Sequence, residues 1–315
     1  MTDNDPKSPA DNPFTNFKLP LGVRLFLFSA RWLFTLLGQV SPRLAGNIAL
    51  RFFMTPPNFA MPRREQASSD AAELRFQEID GETIAVRAWG EGPTILLSHG
   101  WGGRGTQFFA FIEPLVAAGY RVVAFDAPAH GDSSGKRTNM LKVSCTAAAV
   151  AKQEGPIKAL ICHSFGCGTA LLAIDRLALS AEKVILFSCF SDILWITERF
   201  AEAFAMNERS TAAMRVEAHR RYGDAFDTPW QWPQLSPLNT IKQVEGDLLL
   251  IHDKQDTEVP YDHALKLIKS ASGAELITTN RLGHRKILMN KKCIDACIDF
   301  INGSSPDRVG GKSKA

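Results

Sequence analysis

The apolar run Ala159-Leu160-Ile161-Cys162 stops at His163-Ser164-Phe165-Gly166-Cys167-Gly168, and helix-forming sequence follows at once. A strand, a bend of small residues and a helix in immediate succession leave little choice of architecture, because the helix must pack back along the sheet that the strand has joined. Small neighbours let the backbone turn tightly, although Cys162 carries a Cβ where glycine would leave more room. Ser164 stands at the bend. It reads either as a hydroxyl held clear of the sheet edge or as an ordinary helix cap.

Other apolar runs end in equally marked turns. Thr94-Ile95-Leu96-Leu97-Ser98 leads into His99-Gly100-Trp101-Gly102-Gly103, a glycine-rich turn of the kind that exposes backbone N–H groups. Arg121-Val122-Val123-Ala124-Phe125 leads into Asp126-Ala127-Pro128-Ala129-His130-Gly131-Asp132-Ser133. Asp247 to Ile251 delivers His252-Asp253-Lys254-Gln255-Asp256-Thr257-Glu258-Val259-Pro260, and Leu282-Gly283-His284 follows one more strand pattern. Upstream, alternation over 73–79 and 82–89 around Asp80-Gly81 predicts an antiparallel hairpin. Strands near 94, 121, 157, 183, 247 and 275 then alternate with helices near 106, 141, 166, 261 and 286. That rhythm predicts an α/β fold with a mostly parallel sheet, helices on both faces, and chemistry at the carboxyl ends of the strands.

Residues 73–303 with these motifs resemble the α/β-hydrolase superfamily, whose sheet is of the eight-stranded type. One position departs from the family's G-x-S-x-G elbow, Cys162 standing for the first glycine. The resemblance implies Ser164 as nucleophile, His284 as base and Asp256 as acid, with the backbone N–H groups of Trp101 and Phe165 as oxyanion donors. Asp253 lies nearer the strand end and Asp192 follows the preceding strand, so each is an alternative acid; the spacing to Val259-Pro260 favours Asp256. The implied activity is a serine hydrolase cleaving a carboxylic ester or thioester of a small-molecule acyl substrate through an acyl-enzyme. An acyltransferase or C–C bond hydrolase with the same residues is the alternative within the fold, and a non-catalytic, membrane-associated binding protein is the alternative outside catalysis.

Composition narrows the classes further. A chain of 315 residues, 45% hydrophobic, can bury a large core, and a net charge of +3 gives nucleic-acid binding no electrostatic support. The six cysteines at 145, 162, 167, 189, 293 and 297 lack a secreted-scaffold spacing, and free thiols fit a reducing, cytoplasmic compartment. No histidine pair has zinc-like spacing beside a cysteine or carboxylate cluster, so neither metal nor cofactor is expected.

Around the hydrolase-like region lie three further segments. Residues 1–20 and 304–315 are expected to be mobile ends. An insertion after the sixth strand, about residues 191–246, predicts a helical cap; its Trp230 and Trp232, with His99 and His163, are candidates to line a pocket. Residues 21–72 predict apolar N-terminal helices. From Leu21 to Met54 there are four arginines, Arg24, Arg31, Arg43 and Arg51, and no acidic residue. Arginines inside the apolar run argue against a spanning helix. Residues 21–54 therefore either lie peripherally on the inner face of a membrane or pack on the hydrolase core.

Overall fold

In the computed structural model, which describes residues 21–226 and 230–303, Asp80 and Gly81 both take positive φ (51° and 76°). This two-residue turn, of the kind whose twist suits a hairpin, joins β1 (Glu73–Ile79) to β2 (Glu82–Trp89) as an antiparallel pair. The expected mobile ends, 1–20 and 304–315, lie outside the described residues, as do 227–229 of the expected cap.

Six further strands follow: β3 (Thr94–Ser98), β4 (Arg121–Phe125), β5 (Ile157–His163), β6 (Lys183–Phe187), β7 (Asp247–Asp253) and β8 (Glu275–Thr279). They complete an eight-stranded sheet in the order β1-β2-β4-β3-β5-β6-β7-β8, parallel from β4 onward. Strands such as β3, buried along its whole length, read as unbroken apolar runs because both faces of a parallel sheet are covered. One face packs against α5 (Met140–Glu154), α6 (Phe165–Arg176) and α10 (Asp262–Ser270), through Val143, Ala147, Ala170, Leu171 and Leu267. The other packs against α4 (Phe109–Ala117) and α12 (Lys291–Ile301), through Phe111, Leu115, Ile294 and Phe300. The chain leaves β3 for β4 on one side and later returns to β5 on the other. The carboxyl ends of β3 and β5 thus flank a topological switch point, where such sheets leave a crevice.

Of the described residues, 54–193, 225–226 and 230–303 form this sheet unit, with α3 (Arg63–Asp70) and the short helices α9 (Pro237–Thr240) and α11 (Gly283–Lys286) among them. Residues 21–53 and 194–224 form a second, helical unit. Its elements are α1 (Leu21–Val40), α2 (Pro42–Phe53), most of α7 (Ile193–Ala203) and α8 (Glu208–Tyr222). The N-terminal helices therefore share a unit with the helical part of the insertion, while residues 230–246, including Trp230 and Trp232, belong to the sheet unit. Small residues make the helical unit possible: a Cβ on Gly46 of α2 would stand 2.6 Å from Met214 N and 2.8 Å from Ala213 Cβ of α8. Phe34, Phe52 and Phe204 meet edge-to-face with centroids 5.7–6.2 Å apart, and Phe53 meets Phe200 at 5.2 Å. Arg31 donates to the Glu202 and Ala203 carbonyls at the end of α7, where a cation complements the helix dipole. Among the described residues no helix is long and apolar enough to cross a membrane.

Candidate active site

β5 delivers Ser164 with φ 53° and ψ −117°, a backbone conformation strained for a residue with a Cβ and held only because its surroundings fix it. Its N–H donates to Phe187 O (2.9 Å) at the end of β6, and its carbonyl accepts from Cys167 N (3.0 Å) in the first turn of α6. Gly166 is needed at this turn: a Cβ there would lie 2.6 Å from His99 O and closer still to Ser98 O. The first turn of α6 is therefore pressed against the end of β3. Cys162, with no exposed surface, pairs with Ser98 and Leu186 on the two neighbouring strands, so its side chain is absorbed into the packed layer under α6. Burial pushes its thiol well above the ordinary value, with nearby Cys189 adding to the shift, so the sulfur stays protonated and unreactive.

The loop after β3 runs along this bend. A Cβ on Gly100 would lie 2.9 Å from His163 Nδ1 and 3.3 Å from Ser164 Cβ, so only glycine lets the loop come this close. Two histidines brace it. His99 Nδ1 donates to Gly100 O (2.8 Å) and its Nε2 accepts from Ala127 N (2.9 Å). His130 Nδ1 donates to Pro128 O (3.1 Å) and its Nε2 accepts from Gly102 N (3.0 Å). Each imidazole must be neutral to accept in this way, and burial lowers His99 to about 4 and His130 to about 3. Asp126 completes the brace, accepting from Gly105 N (2.7 Å), Asp132 N (2.8 Å) and Arg87 (3.2 Å). Trp101 and Phe165 meet edge-on at 5.0 Å. Among the described residues neither backbone N–H forms a hydrogen bond, and that of Phe165 is at the positive end of α6.

β7 and β8 supply the remaining groups. Asp256 Oδ1 accepts from Glu258 N and Val259 N (2.9 Å each), which leaves Oδ2 for His284 Nδ1 at 2.7 Å. Burial pushes the Asp256 carboxyl up, but its hydrogen bond and charge interaction with His284 and its amide partners outweigh that and hold it below its ordinary value. Asp253 is spent elsewhere: it accepts from Gln255 N (2.9 Å), Thr279 Oγ1 (2.7 Å) and Leu282 N (3.0 Å), fixing the turn that carries His284. Asp192 accepts from Ser236 Oγ (3.0 Å).

His163 ties His284 to the bend at Ser164. Its Nδ1 accepts from Gln107 Nε2 (2.7 Å), so its Nε2 carries the proton and donates to His284 O (2.9 Å). The two imidazoles lie 4.7 Å apart. Gln107, on a 3₁₀ turn after the β3 loop, escapes sequence reasoning because nothing local marks a lone glutamine. His252, behind Asp256, donates to Val259 O (2.8 Å) and lies 3.6 Å from Asp256 Oδ2.

Of the residues expected to line a pocket, His99 and His163 are buried with both ring nitrogens bonded. His99 holds the loop after β3, and His163 links Gln107 to the His284 carbonyl. Trp230 is buried and Trp232 half-buried, the two meeting edge-on at 5.4 Å.

Residues 95–296 match the family described as the alpha/beta hydrolase family. The chain is 30% identical over 146 residues to the dihydrolipoyllysine-residue acetyltransferase component of the acetoin cleaving system of Cupriavidus necator. That match covers 44% of this chain and only 38% of the relative. It is 24% identical over 269 residues to the 2-hydroxy-6-oxononadienedioate/2-hydroxy-6-oxononatrienedioate hydrolase of Escherichia coli, covering 70% of this chain and 92% of that one. Among solved structures, the thioesterase domain from the curacin biosynthetic pathway shares the fold at a TM-score of 0.53 and 19% identity, over 74% of this chain and 99% of that one.

Proposed function

Since the chain belongs to the alpha/beta hydrolase family, we propose that it is a serine hydrolase cleaving a carboxylic ester or thioester through an acyl-enzyme at Ser164. The observation that carries this reading is the hydrogen bond from His284 Nδ1 to Asp256, on a histidine whose own carbonyl is tied to the residue before Ser164. With Nδ1–H donated to the carboxylate, Nε2 is the basic nitrogen. It takes the Ser164 proton as the oxygen attacks the carbonyl carbon, and the N–H groups of Phe165 and Trp101 receive the negative charge that develops on the carbonyl oxygen. Collapse expels the alcohol or thiol, which takes the proton from His284. Water then repeats the sequence to release the acid.

The relatives favour one other reading with the same residues, since one is named a hydrolase of 2-hydroxy-6-oxononadienedioate and another an acetyltransferase component. In those cases the bond broken, or the acceptor in the second half-reaction, would differ. The protonated thiol of Cys162 supports Ser164 as the nucleophile in either case.

Hydrolysis of a short p-nitrophenyl ester tests the proposal. Ser164→Ala and His284→Ala should each remove nearly all turnover, and the double variant should be little worse, because the two act as one unit. Retention of more than about a tenth of the activity in folded Ser164→Ala would overturn it.

A further inference from the structure

The helix α1 is apolar over much of its circumference, with Arg24, Arg31, Thr35 and Gln39 close to one side, and the helical unit buries only one face of it. Ala30, Phe34 and Gly38 are buried there. On the opposite side Leu25, Phe28, Trp32 and Leu36 follow one another at helical spacing with 51–61% exposure for these and adjacent Phe26, and Leu33 and Val40 extend the strip. A strip of this size on a stable helix marks an interaction surface.

Charge identifies the occupant. The two helices carry Arg24, Arg31, Arg43 and Arg51 and no acidic residue, and Arg24 and Arg43 are exposed. Arg24 falls at the margin of the strip, where a long side chain can lie along apolar surface while its guanidinium stays at the polar boundary. A second copy of the chain is a poor fit. A two-fold contact through this strip would set arginines against arginines, with no acid from either helix to answer them. An anionic lipid surface satisfies both features at once, taking the aromatic and aliphatic side chains into the boundary of the acyl chains and the guanidinium groups among the headgroups. We infer that α1 docks the protein on anionic membranes, lying in the plane of the surface, since it is not a spanning helix.

The test is flotation of the full chain with vesicles of phosphatidylglycerol and phosphatidylethanolamine, beside vesicles of phosphatidylcholine alone. The intact protein should float with the anionic vesicles and lose more than about tenfold in affinity on phosphatidylcholine or in raised salt. Joint replacement Phe28→Ser, Trp32→Ser and Leu36→Ser should abolish flotation, and Arg24→Glu with Arg43→Glu should weaken it by more than about tenfold. All of these residues are exposed, so thermal melts and turnover of a soluble ester should match the unaltered protein. Vesicles with brominated acyl chains should quench the fluorescence of the intact protein more than that of Trp32→Phe, a readout that needs no disruptive variant. No affinity of the intact protein for anionic vesicles would overturn the inference. So would flotation undiminished in the triple variant, or a dimer lost in the triple variant from a protein with no vesicle affinity.

Discussion

Two aspartates three positions apart, Asp253 and Asp256, have different work because their oxygens face different donors. Asp256 keeps one oxygen for His284, whereas the bonds of Asp253 go to Gln255, Thr279 and Leu282. Asp256→Asn should lower kcat for a p-nitrophenyl ester on the order of 10⁴-fold, since an amide favours the wrong imidazole tautomer. Asp253→Asn should act mainly on stability, at about 1 to 3 kcal/mol, by removing an acceptor from buried donors. Urea unfolding together with steady-state kinetics separates the two, and equal kinetic losses would refute the division. The sequence shows little of this difference: both residues lie in the segment that closes β7, and only the spacing to Val259-Pro260 sets them apart.

At the scale of elements, the junction of β5 with α6 depends on how closely the first turn of α6 approaches β3. Gly166→Ala places a methyl group against the carbonyls of Ser98 and His99, which are backbone at the end of β3 and cannot swing aside as a side chain would. It should cost at least about 1 to 3 kcal/mol and lower turnover by displacing Ser164, whereas Gly273→Ala, at an open turn with positive φ, should cost only backbone strain and leave turnover intact. Matching thermal melts for the two variants would contradict the account. Most parallel strands were legible because they are apolar runs closed by a turn, and the hairpin because its strands alternate and Asp80-Gly81 suits positive φ. Gln107 was not legible, because its bond joins segments that meet only once the sheet has formed. The pairing of α2 with α8 was hidden for a similar reason: its signal is close approach at Gly46, and a glycine in a helix has no partner written beside it.

Over the whole molecule, buried neutral histidines set the response to acid. Burial lowers His99 and His263 from 6.5 to about 4, and His130 to about 3. The unfolded chain would therefore take up protons below pH 6.5 that the folded chain refuses. By linkage, stability is complete above 6.5 and falls as pH drops toward about 3 to 4, by up to about 3 kcal/mol for each histidine with a folded value near 4. Asp253 and Asp256, held below their ordinary 3.8, extend the loss in the same direction at still lower pH. Melting temperature should thus decline steadily from about pH 6.5 downward, and the decline should be shallower in His263→Gln. A flat profile between about pH 7 and pH 5 would show that these rings are not held neutral.

The most direct measurement of the central claim is covalent labelling of the folded protein with a fluorophosphonate, followed by mass mapping of the modified peptide. A serine whose proton is drawn off by His284 should form the phosphonyl adduct at Ser164 and nowhere else, and Ser164→Ala should abolish it. A folded protein that stays unlabelled, or one that carries the adduct on a different residue, would contradict the account.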